Sequence, residues 1–338
     1  MHAPRGISPI RNVLDHTLGE SKLIHEPISL DEVQAAQKRI KSRVVRTPLV
    51  KLNVDDALAE IYLKLENLQP IGSFKLRGAI NVLDQMRLDE LRGGVWTASA
   101  GNMAQGLAWA AREKGIKCTV LVPDTAPDAK LGAITRLGAA TVPISLDEFF
   151  EVLGSRQKDG MSGTFVHAFS DRRMMAGNGT VGLEILEDLP QVDVILAPYG
   201  GGGLSCGIAC AAKAINPRVK VFACEPETAA PLAHSWLAGR PTVPPFERTF
   251  IDGAGGQRVY PEMFELARKV LDGPLAVAVE RVKKAVAVMV ERNHIVAEGA
   301  GALPVAAAMD GLAGALRICC IVSGGNIDTT LLASLLDQ

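Results

Sequence analysis

Short runs of β-forming residues alternate along this chain with longer stretches that place apolar side chains at helical spacing. Nine β-rich runs are predicted, at residues 61–66, 95–99, 118–123, 140–145, 164–168, 192–198, 219–225, 275–279 and 318–323. Between most of them lie stretches of about 10–15 residues with the spacing of a helix, as at Leu76, Ala79, Ile80 and Leu83. Strands that are apolar on both faces and separated by helices predict parallel sheets covered on both sides.

The first helix has a recognisable start. Ser29 is followed three residues later by Glu32, the pattern of a capping box, and predicts a helix running to about Arg43 after a polar N-terminal segment of about 28 residues. A chain of 338 residues has the length of about two domains. Composition marks no boundary between them, since no low-complexity linker interrupts the alternation.

Charge gives no reason to expect a nucleic-acid partner. Lys plus Arg total 36 and Asp plus Glu total 37, so the net charge is −1. The one basic cluster, residues 38–46, is typical of a solvated helix face. Aromatic residues make up 4% of the chain, too few to favour stacking on single-stranded bases.

The cysteines and the N-terminal segment favour a cytoplasmic protein. None of the six cysteines forms a C-x-x-C pair, and most lie in apolar runs where cysteine behaves as a small hydrophobic residue. Such use is typical of a reducing compartment, and no metal site is expected. Residues 1–20 lack the apolar core of a signal peptide. No apolar run approaches the length of a membrane span, so no membrane partner is expected.

Four consecutive glycines, Gly200 to Gly203, lie between a predicted strand and an apolar helix. Without any Cβ at this turn, backbone N–H groups can converge on an anion at the helix N-terminus. A tight turn alone needs one or two glycines, so the run of four favours a phosphate site.

The kind of phosphate is narrowed by the neighbouring residues. Glu225 ends the next predicted strand about twenty residues on, as a dinucleotide fold requires. The G-x-G-x-x-G pattern is nevertheless broken, because its last position falls on Ser205 or Cys206, and no Lys-Ser/Thr of a Walker loop follows. A compact monophosphate is favoured, and a nicotinamide-dependent oxidoreductase stays open as the alternative.

Three further motifs are ambiguous when each is taken separately. Lys75, in the segment GSFKLRGA at residues 72–79, fits either a surface lysine or a desolvated amine suited to Schiff-base chemistry. The SAGNM loop at residues 99–103 fits either a helix cap or a carboxylate site made of backbone N–H groups. Ser323, in VSGGN, could face a ligand or cap the last helix.

Together and in this order, the four motifs resemble those of the serine/threonine dehydratases, which are pyridoxal-phosphate enzymes of fold type II. The resemblance covers about residues 30–337. It implies an α/β fold of two open, mostly parallel twisted sheets flanked by helices, similar to the tryptophan synthase β-subunit. A small domain at 88–165 would be inserted into a large domain made of 1–87 and 166–338, with the cofactor between them.

The resemblance also implies roles for individual residues. Lys75 would be the catalytic residue that holds pyridoxal 5'-phosphate covalently. The cofactor would further contact Phe74, Asn102 at its ring hydroxyl, Gly200, Gly201, Gly202, Gly203, Leu204, Glu298, and Ser323 at its pyridine nitrogen. The substrate carboxylate would be bound by Ser99, Ala100, Gly101, Asn102 and Met103. For Glu298, a helix-start carboxylate favoured by the helix dipole is an equally good interpretation.

The implied activity is a β-elimination. A pyridoxal-phosphate-dependent ammonia-lyase would convert L-threonine or L-serine to a 2-oxo acid and ammonia. A bulkier 3-hydroxy amino acid, such as hydroxyaspartate, phenylserine or a hydroxyectoine-derived compound, is an alternative substrate. A non-catalytic cofactor-binding module is an alternative of another class. A homodimer is expected.

Four positions depart from the family pattern. Ala100 stands where serine racemases carry a second serine, so racemisation should be minor. Pro231 stands where those relatives have a metal-binding aspartate, which supports the expectation of no metal. Met103 replaces a common histidine and Asn178 a common glutamine, and both changes bear on the choice of substrate.

Overall fold

The computed structural model describes residues 26–55, 57–314 and 316–337, and these form an α/β protein. The strands are β1 Leu49–Lys51, β2 Glu60–Lys64, β3 Val95–Ala98, β4 Cys118–Pro123, β5 Ala140–Ile144, β6 Thr164–Phe165, β7 Val194–Pro198, β8 Lys220–Pro226, β9 Gly273–Val277 and β10 Arg317–Ile321. The helices are α1 Leu30–Ile40, α2 Lys75–Gln85, α3 Leu88–Leu91, α4 Asn102–Glu113, α5 Asp128–Arg136, α6 Leu146–Ser155, α7 Arg172–Asp188, α8 Gly203–Ile215, α9 Pro231–Ala238, α10 Pro261–Val270, α11 Val279–Asn293, α12 Gly299–Met309 and α13 Thr329–Leu336. Short 3-10 helices occupy Glu66–Leu68 and Glu227–Ala229.

The strands form two sheets. The larger has the order β1-β2-β10-β7-β8-β9, in which β1 is antiparallel to β2 and every other pair is parallel. The smaller has the order β5-β4-β3-β6 and is parallel throughout. This arrangement, with helices flanking both sheets, confirms the predicted fold class.

All nine predicted strands are present, with two differences. β1 was not predicted, because a three-residue edge strand is too short to show a periodic pattern. The run predicted at 164–168 was too long, since only Thr164–Phe165 is strand. Val166 still donates its N–H to the Trp96 carbonyl at 2.8 Å. Beyond it the chain turns away from the sheet, where the His167 ring accepts from the N–H groups of Phe169 and Ser170.

The predicted helix start is confirmed. The Ser29 hydroxyl accepts from the Glu32 N–H, and the Glu32 carboxylate accepts from the Ser29 N–H. The helix ends at Ile40, three residues before the predicted end. Residues 1–25, which include the segment 1–20 that lacks the apolar core of a signal peptide, lie outside the described residues. None of the described helices combines the length and apolar character that crossing a membrane requires.

The central strands of the sheets are buried as the sequence predicts, whereas the edge strand β5 is mostly exposed. Strand β7 is buried along its whole length, between apolar clusters on the two faces of the larger sheet. The cluster beneath the smaller sheet joins Leu107 of α4 with Leu76 and Ile80 of α2. That cluster therefore extends across residue 88, the predicted domain boundary, and the domain division stays a prediction.

A buried group of four charged side chains lies beneath helix α2. The Arg77 guanidinium donates to both carboxylate oxygens of Glu66 and both of Glu184 at 2.7–2.9 Å. Lys64 Nζ lies 2.6 Å from Glu184 Oε2. Lys64, Glu66 and Arg77 are 0% exposed and Glu184 is 4% exposed, so the two cations balance the two carboxylates inside the protein. The four side chains join α2 to β2 and α7.

Arg77→Met is expected to lower the free energy of unfolding by about 3–5 kcal/mol, because it leaves Glu66 and Glu184 buried with one cation between them. Arg87→Met is the matched control, since the Arg87 side chain is 73% exposed and pairs with Asp89 on the surface. It should change stability by less than about 1 kcal/mol. Denaturant unfolding of the two variants measures both effects. Equal losses would contradict the role given to the buried group.

Candidate active site

The start of helix α2 is fixed against the end of strand β10. The Phe74 N–H donates to the Ser323 carbonyl at 3.0 Å, and the Gly325 N–H donates to the Gly72 carbonyl at 2.9 Å. Gly72 has φ +73°, a left-handed conformation that glycine adopts without strain. Lys75, the first residue of α2, is therefore held beside the carboxyl end of β10.

The Lys75 amine is partly buried and points into a cavity. Its Nζ donates to the Ala168 carbonyl at 2.8 Å and lies 5.1 Å from the centre of the Phe74 ring. Desolvation lowers the pKa of Lys75 from its ordinary value of 10.5 to about 8, against the opposing charge of Glu298. A lysine with such a pKa is partly neutral near neutral pH, which suits it to act as a nucleophile or base.

The glycine loop presents unpaired N–H groups at the start of helix α8. Within the described residues, the N–H groups of residues 200–204 make no hydrogen bond. Gly202, which precedes the helix, has φ +87°. A Cβ on Gly201 would lie 2.2 Å from the Phe169 ring, and one on Gly203 2.7 Å from the Phe169 carbonyl oxygen. A side chain at Gly201, Gly202 or Gly203 would therefore displace its neighbours, and the free donors of the loop fit a phosphate.

Glu298 and Asn102 connect the two sheets at the cavity. The Asn102 Nδ2 donates to Glu298 Oε1 at 2.8 Å, and Asn102 Oδ1 accepts from Asn326 Nδ2 at 2.7 Å. Burial raises the pKa of Glu298 to about 8, and Asp252 adds to the effect. Because both polar atoms of the Asn102 amide have protein partners, a bond from Asn102 to a ligand would share or replace one of them.

The predicted carboxylate loop joins β3 to α4. Its Gly101 N–H donates to the Ser99 hydroxyl at 3.2 Å. Met103 is 2% exposed and packs into the core beneath the smaller sheet. The N–H groups of residues 102–104 make no hydrogen bond within the described chain, as is usual in the first turn of a helix. This loop can therefore offer an anion backbone donors more readily than the Met103 side chain.

Ser323 follows strand β10 and lines the same cavity. The residue is 2% exposed, and its hydroxyl has no hydrogen-bond partner among the described residues. A neutral hydroxyl that can donate or accept is thus available to a ligand.

All the site residues predicted from the sequence line one cavity of about 780 Å³. They are Phe74, Lys75, Ser99, Ala100, Gly101, Asn102, Met103, Gly200, Gly201, Gly202, Gly203, Leu204, Glu298 and Ser323. The individual roles given to them stay predictions. The cavity lies at the carboxyl ends of strands from both sheets, where ligands bind in parallel α/β folds.

Several residues of the cavity were not predicted. Ala168 and Phe169 were placed in or beside a strand, so the turn that contacts Lys75 and the glycine loop was missed. Lys130 and Asp252 form an ion pair in the wall of the cavity. Two arginines, Arg136 and Arg248, also line it. These four charged residues stand in no sequence motif, and only the fold brings them to the site.

Glu225, the feature that favoured a dinucleotide, has a different role. Its two carboxylate oxygens accept from the Leu232 and Ala233 N–H groups, both at 2.9 Å. Burial raises the pKa of Glu225 to about 8, against the effect of these two bonds. The carboxylate caps helix α9 and does not line the cavity, so it is not placed to bind a ribose there.

A family comparison identifies this arrangement. The pyridoxal-phosphate dependent enzyme family matches residues 40–324. The chain belongs to this family. The pyridoxal-phosphate dependence of the family agrees with a cavity that offers a partly neutral lysine and a glycine loop with free N–H groups.

Three relatives place the chain more closely within the pyridoxal-phosphate dependent enzymes. L-threonine ammonia-lyase of Thermotoga maritima is 39% identical over 317 residues, which is 92% of this chain and 79% of the relative. The crystal structure of a threonine deaminase from T.th. superposes with a TM-score of 0.82 at 34% identity, covering 89% of this chain and 99% of the other. Serine racemase of Dictyostelium discoideum superposes with a TM-score of 0.81 at 34% identity, with the same coverage.

The lowered pKa of Lys75 predicts how the cofactor is taken up. Only the neutral amine can bond to an aldehyde, so the rate of uptake should rise with pH through about 8 and then level off. The measurement follows the growth of visible absorbance after the cofactor-free chain is mixed with pyridoxal phosphate at a series of pH values. Free lysine serves as the reference amine. A rate that still rises above pH 10 would contradict the lowered pKa.

Proposed function

We propose that this protein is a pyridoxal-phosphate-dependent ammonia-lyase that dehydrates L-threonine or L-serine to a 2-oxo acid and ammonia. The observation that carries the proposal is the meeting of Lys75, the glycine loop and Ser323 in one cavity. Support comes from relatives named threonine ammonia-lyase and threonine deaminase at 39% and 34% identity. The reaction removes the β-hydroxyl and the α-proton as water, and ammonia leaves on hydrolysis.

Different residues of the cavity are assigned to different parts of the cofactor. We assign its phosphate to the N–H groups of Gly200 to Gly203 and its aldehyde carbon to Lys75. Phe74, Leu204 and Glu298 are assigned to the surroundings of the ring, with Asn102 at the ring hydroxyl and Ser323 at the pyridine nitrogen. The free donors of the loop and the unpartnered Ser323 hydroxyl support these assignments.

Lys75 is the residue assigned to proton transfer at the α-carbon of the substrate. When bound, pyridoxal phosphate withdraws electrons from the α-carbon of an amino acid. Once the substrate amine has replaced Lys75 at the aldehyde carbon, the freed Lys75 amine would remove the α-proton, and its pKa of about 8 lies close to neutral pH, as efficient proton transfer requires. The N–H groups of the 99–103 loop orient the substrate carboxylate. Ser323 offers the pyridine nitrogen of the ring a neutral hydroxyl. A neutral partner there favours rapid loss of the β-hydroxyl over a negative charge that persists on the cofactor.

Racemisation is the activity of the serine racemase neighbour, and we propose that it is minor here. Racemisation needs a second group that exchanges a proton on the opposite face of the substrate. Ala100 stands where the resemblance to serine racemases places a second serine, and it has no ionisable group. Its position in the cavity wall supports the proposal.

A dicarboxylic substrate such as 3-hydroxyaspartate is the second candidate. Arg136 and Arg248 line the cavity, and neither has a carboxylate partner among the described residues. An unpaired guanidinium suits a second carboxylate on the substrate. Other bulky substrates, such as phenylserine and hydroxyectoine-derived compounds, gain no support from these two charges.

We also propose a cytoplasmic homodimer. All six cysteines are free and buried, which supports a reducing compartment. The dimer rests on the resemblance to the serine/threonine dehydratases. The expectation that no nucleic acid or metal takes part stays a prediction.

The activity is tested with the purified full chain. It should show a visible absorption band and release 2-oxo acid from L-threonine or L-serine, and Lys75→Ala should abolish both. Lys158→Ala is the control, because Lys158 pairs with Glu148 away from the cavity. A coloured protein that forms no 2-oxo acid from any of a panel of hydroxy amino acids would support a non-catalytic binding module. A colourless protein that takes up no cofactor would refute the assignment.

The charges of Arg136 and Arg248 distinguish the dicarboxylic substrate 3-hydroxyaspartate from L-threonine. If 3-hydroxyaspartate is the substrate, replacing Arg136 and Arg248 together by Gln should raise its KM by about tenfold or more, since each charge-assisted hydrogen bond contributes about 1.5–3 kcal/mol. The KM for L-threonine should change by less than about threefold in the same variant. Steady-state kinetics with both substrates measures this, and equal changes would remove the case for the dicarboxylic substrate.

A further inference from the structure

Two parts of the cofactor site rest on a single turn. Residues 167–170, called here the His167 turn, connect β6 to α7. The Ala168 carbonyl accepts from Lys75 Nζ at 2.8 Å. The Phe169 ring occupies the space that a Cβ on Gly201 would need, and its backbone the space beside Gly203. Any movement of this turn would therefore displace the lysine amine and the glycine loop together.

The His167 ring holds the turn in place. Its Nδ1 accepts from the Phe169 N–H at 3.3 Å and from the Ser170 N–H at 3.1 Å. Because Nδ1 accepts two bonds, it carries no hydrogen, and the neutral ring has its hydrogen on Nε2. That nitrogen lies 3.3 Å from the Leu153 carbonyl of α6 and donates to it. Each nitrogen of the ring therefore has a definite role.

Burial keeps the His167 ring neutral, and the aromatic rings packed around it hold its orientation. The residue is 3% exposed, and the Phe165, Phe169 and Tyr260 rings meet it edge-on. Burial lowers the pKa of His167 to about 3, and the charges of Arg156 and Lys75 lower it while that of Asp171 raises it. Protonation would give Nδ1 a hydrogen and expel the two N–H donors, so the neutral ring is the form that fits the turn.

We propose that His167 is a positioning residue for the cofactor site, which acts by holding the Ala168 carbonyl against the Lys75 amine and Phe169 against the glycine loop. It has no part in the cavity wall itself. The bond to Leu153 also ties the turn to helix α6, beside the smaller sheet. The ring thus fixes the position of Lys75 from outside the site.

Two substitutions of His167 distinguish the hydrogen bonds that Nδ1 accepts from the one that Nε2 donates. In His167→Asn, the side-chain oxygen can replace Nδ1 as the acceptor for the turn. In His167→Gln, the side-chain nitrogen can still reach the Leu153 carbonyl, but no acceptor stands at the position of Nδ1. Phe165→Leu is the control for lost packing, since Phe165 contacts the His167 ring without bonding to the turn.

The first readout is the Kd for pyridoxal phosphate, measured by titrating the cofactor-free full chain. His167→Gln should raise it by about 10–100-fold, the loss that follows when the supporting partner of a metal ligand is removed. His167→Asn should stay within about threefold of the original chain. Phe165→Leu should lower the midpoint of thermal unfolding and leave the Kd within about threefold.

The second readout is the pH midpoint of cofactor uptake, which reports on the Lys75 amine. Without the Ala168 carbonyl as acceptor the charged amine loses a partner, so His167→Gln should lower the midpoint by about half a pH unit or more. His167→Asn should restore it. Neither readout depends on turnover, so the outcome is independent of the substrate assignment. A folded Gln variant with an unchanged or raised midpoint, or an Asn variant no better than Gln, would overturn the proposal.

Discussion

The position of helix α2 is the constraint on which the rest of the site depends. Its first residue is Lys75, and its third is Arg77, whose guanidinium is bound on both sides by the buried carboxylates of Glu66 and Glu184. Breaking such a buried pair leaves an uncompensated charge in a medium of low dielectric constant. The helix is thus held by charges on its inner side and by the bond from Phe74 to Ser323 at its start. The backbone of Lys75 is therefore held beside the cavity.

The chemistry of the site follows from that placement. Burial of the amine lowers its pKa to about 8, while burial of Glu298 raises the pKa of that carboxyl to about 8. The two groups therefore stand close to the change between charged and neutral forms in the same pH range. The glycine loop adds N–H donors that suit the doubly charged phosphate of the cofactor. One cavity thus combines an amine and a carboxyl that both change charge near pH 8 with a loop of unpaired N–H groups.

The features that depend on a local sequence pattern were predicted from the sequence. The alternation of strands and helices, the capping box of α1 and the glycine loop each depend on residues near one another in the chain, and each is present. The turn at Ala168 and Phe169 was missed because its apolar residues read as the end of a strand, while the bonds that turn it come from His167. Arg136, Arg248 and the partners of Arg77 reach their places through tertiary contacts alone, which no local pattern records. Glu225 was open to the wrong interpretation because a carboxylate after a strand serves a helix cap and a ribose equally well.

The central claim is that Lys75 is the residue that bonds to the cofactor. The direct measurement is reduction of the cofactor-loaded protein with borohydride, followed by proteolysis and mass spectrometry of the peptides. The account predicts one added pyridoxyl phosphate group, on the peptide that contains Lys75. Lys130 is a second lysine in the wall of the same cavity, paired with Asp252. Modification at Lys130 or at any other lysine, with Lys75 unmodified, would contradict the account.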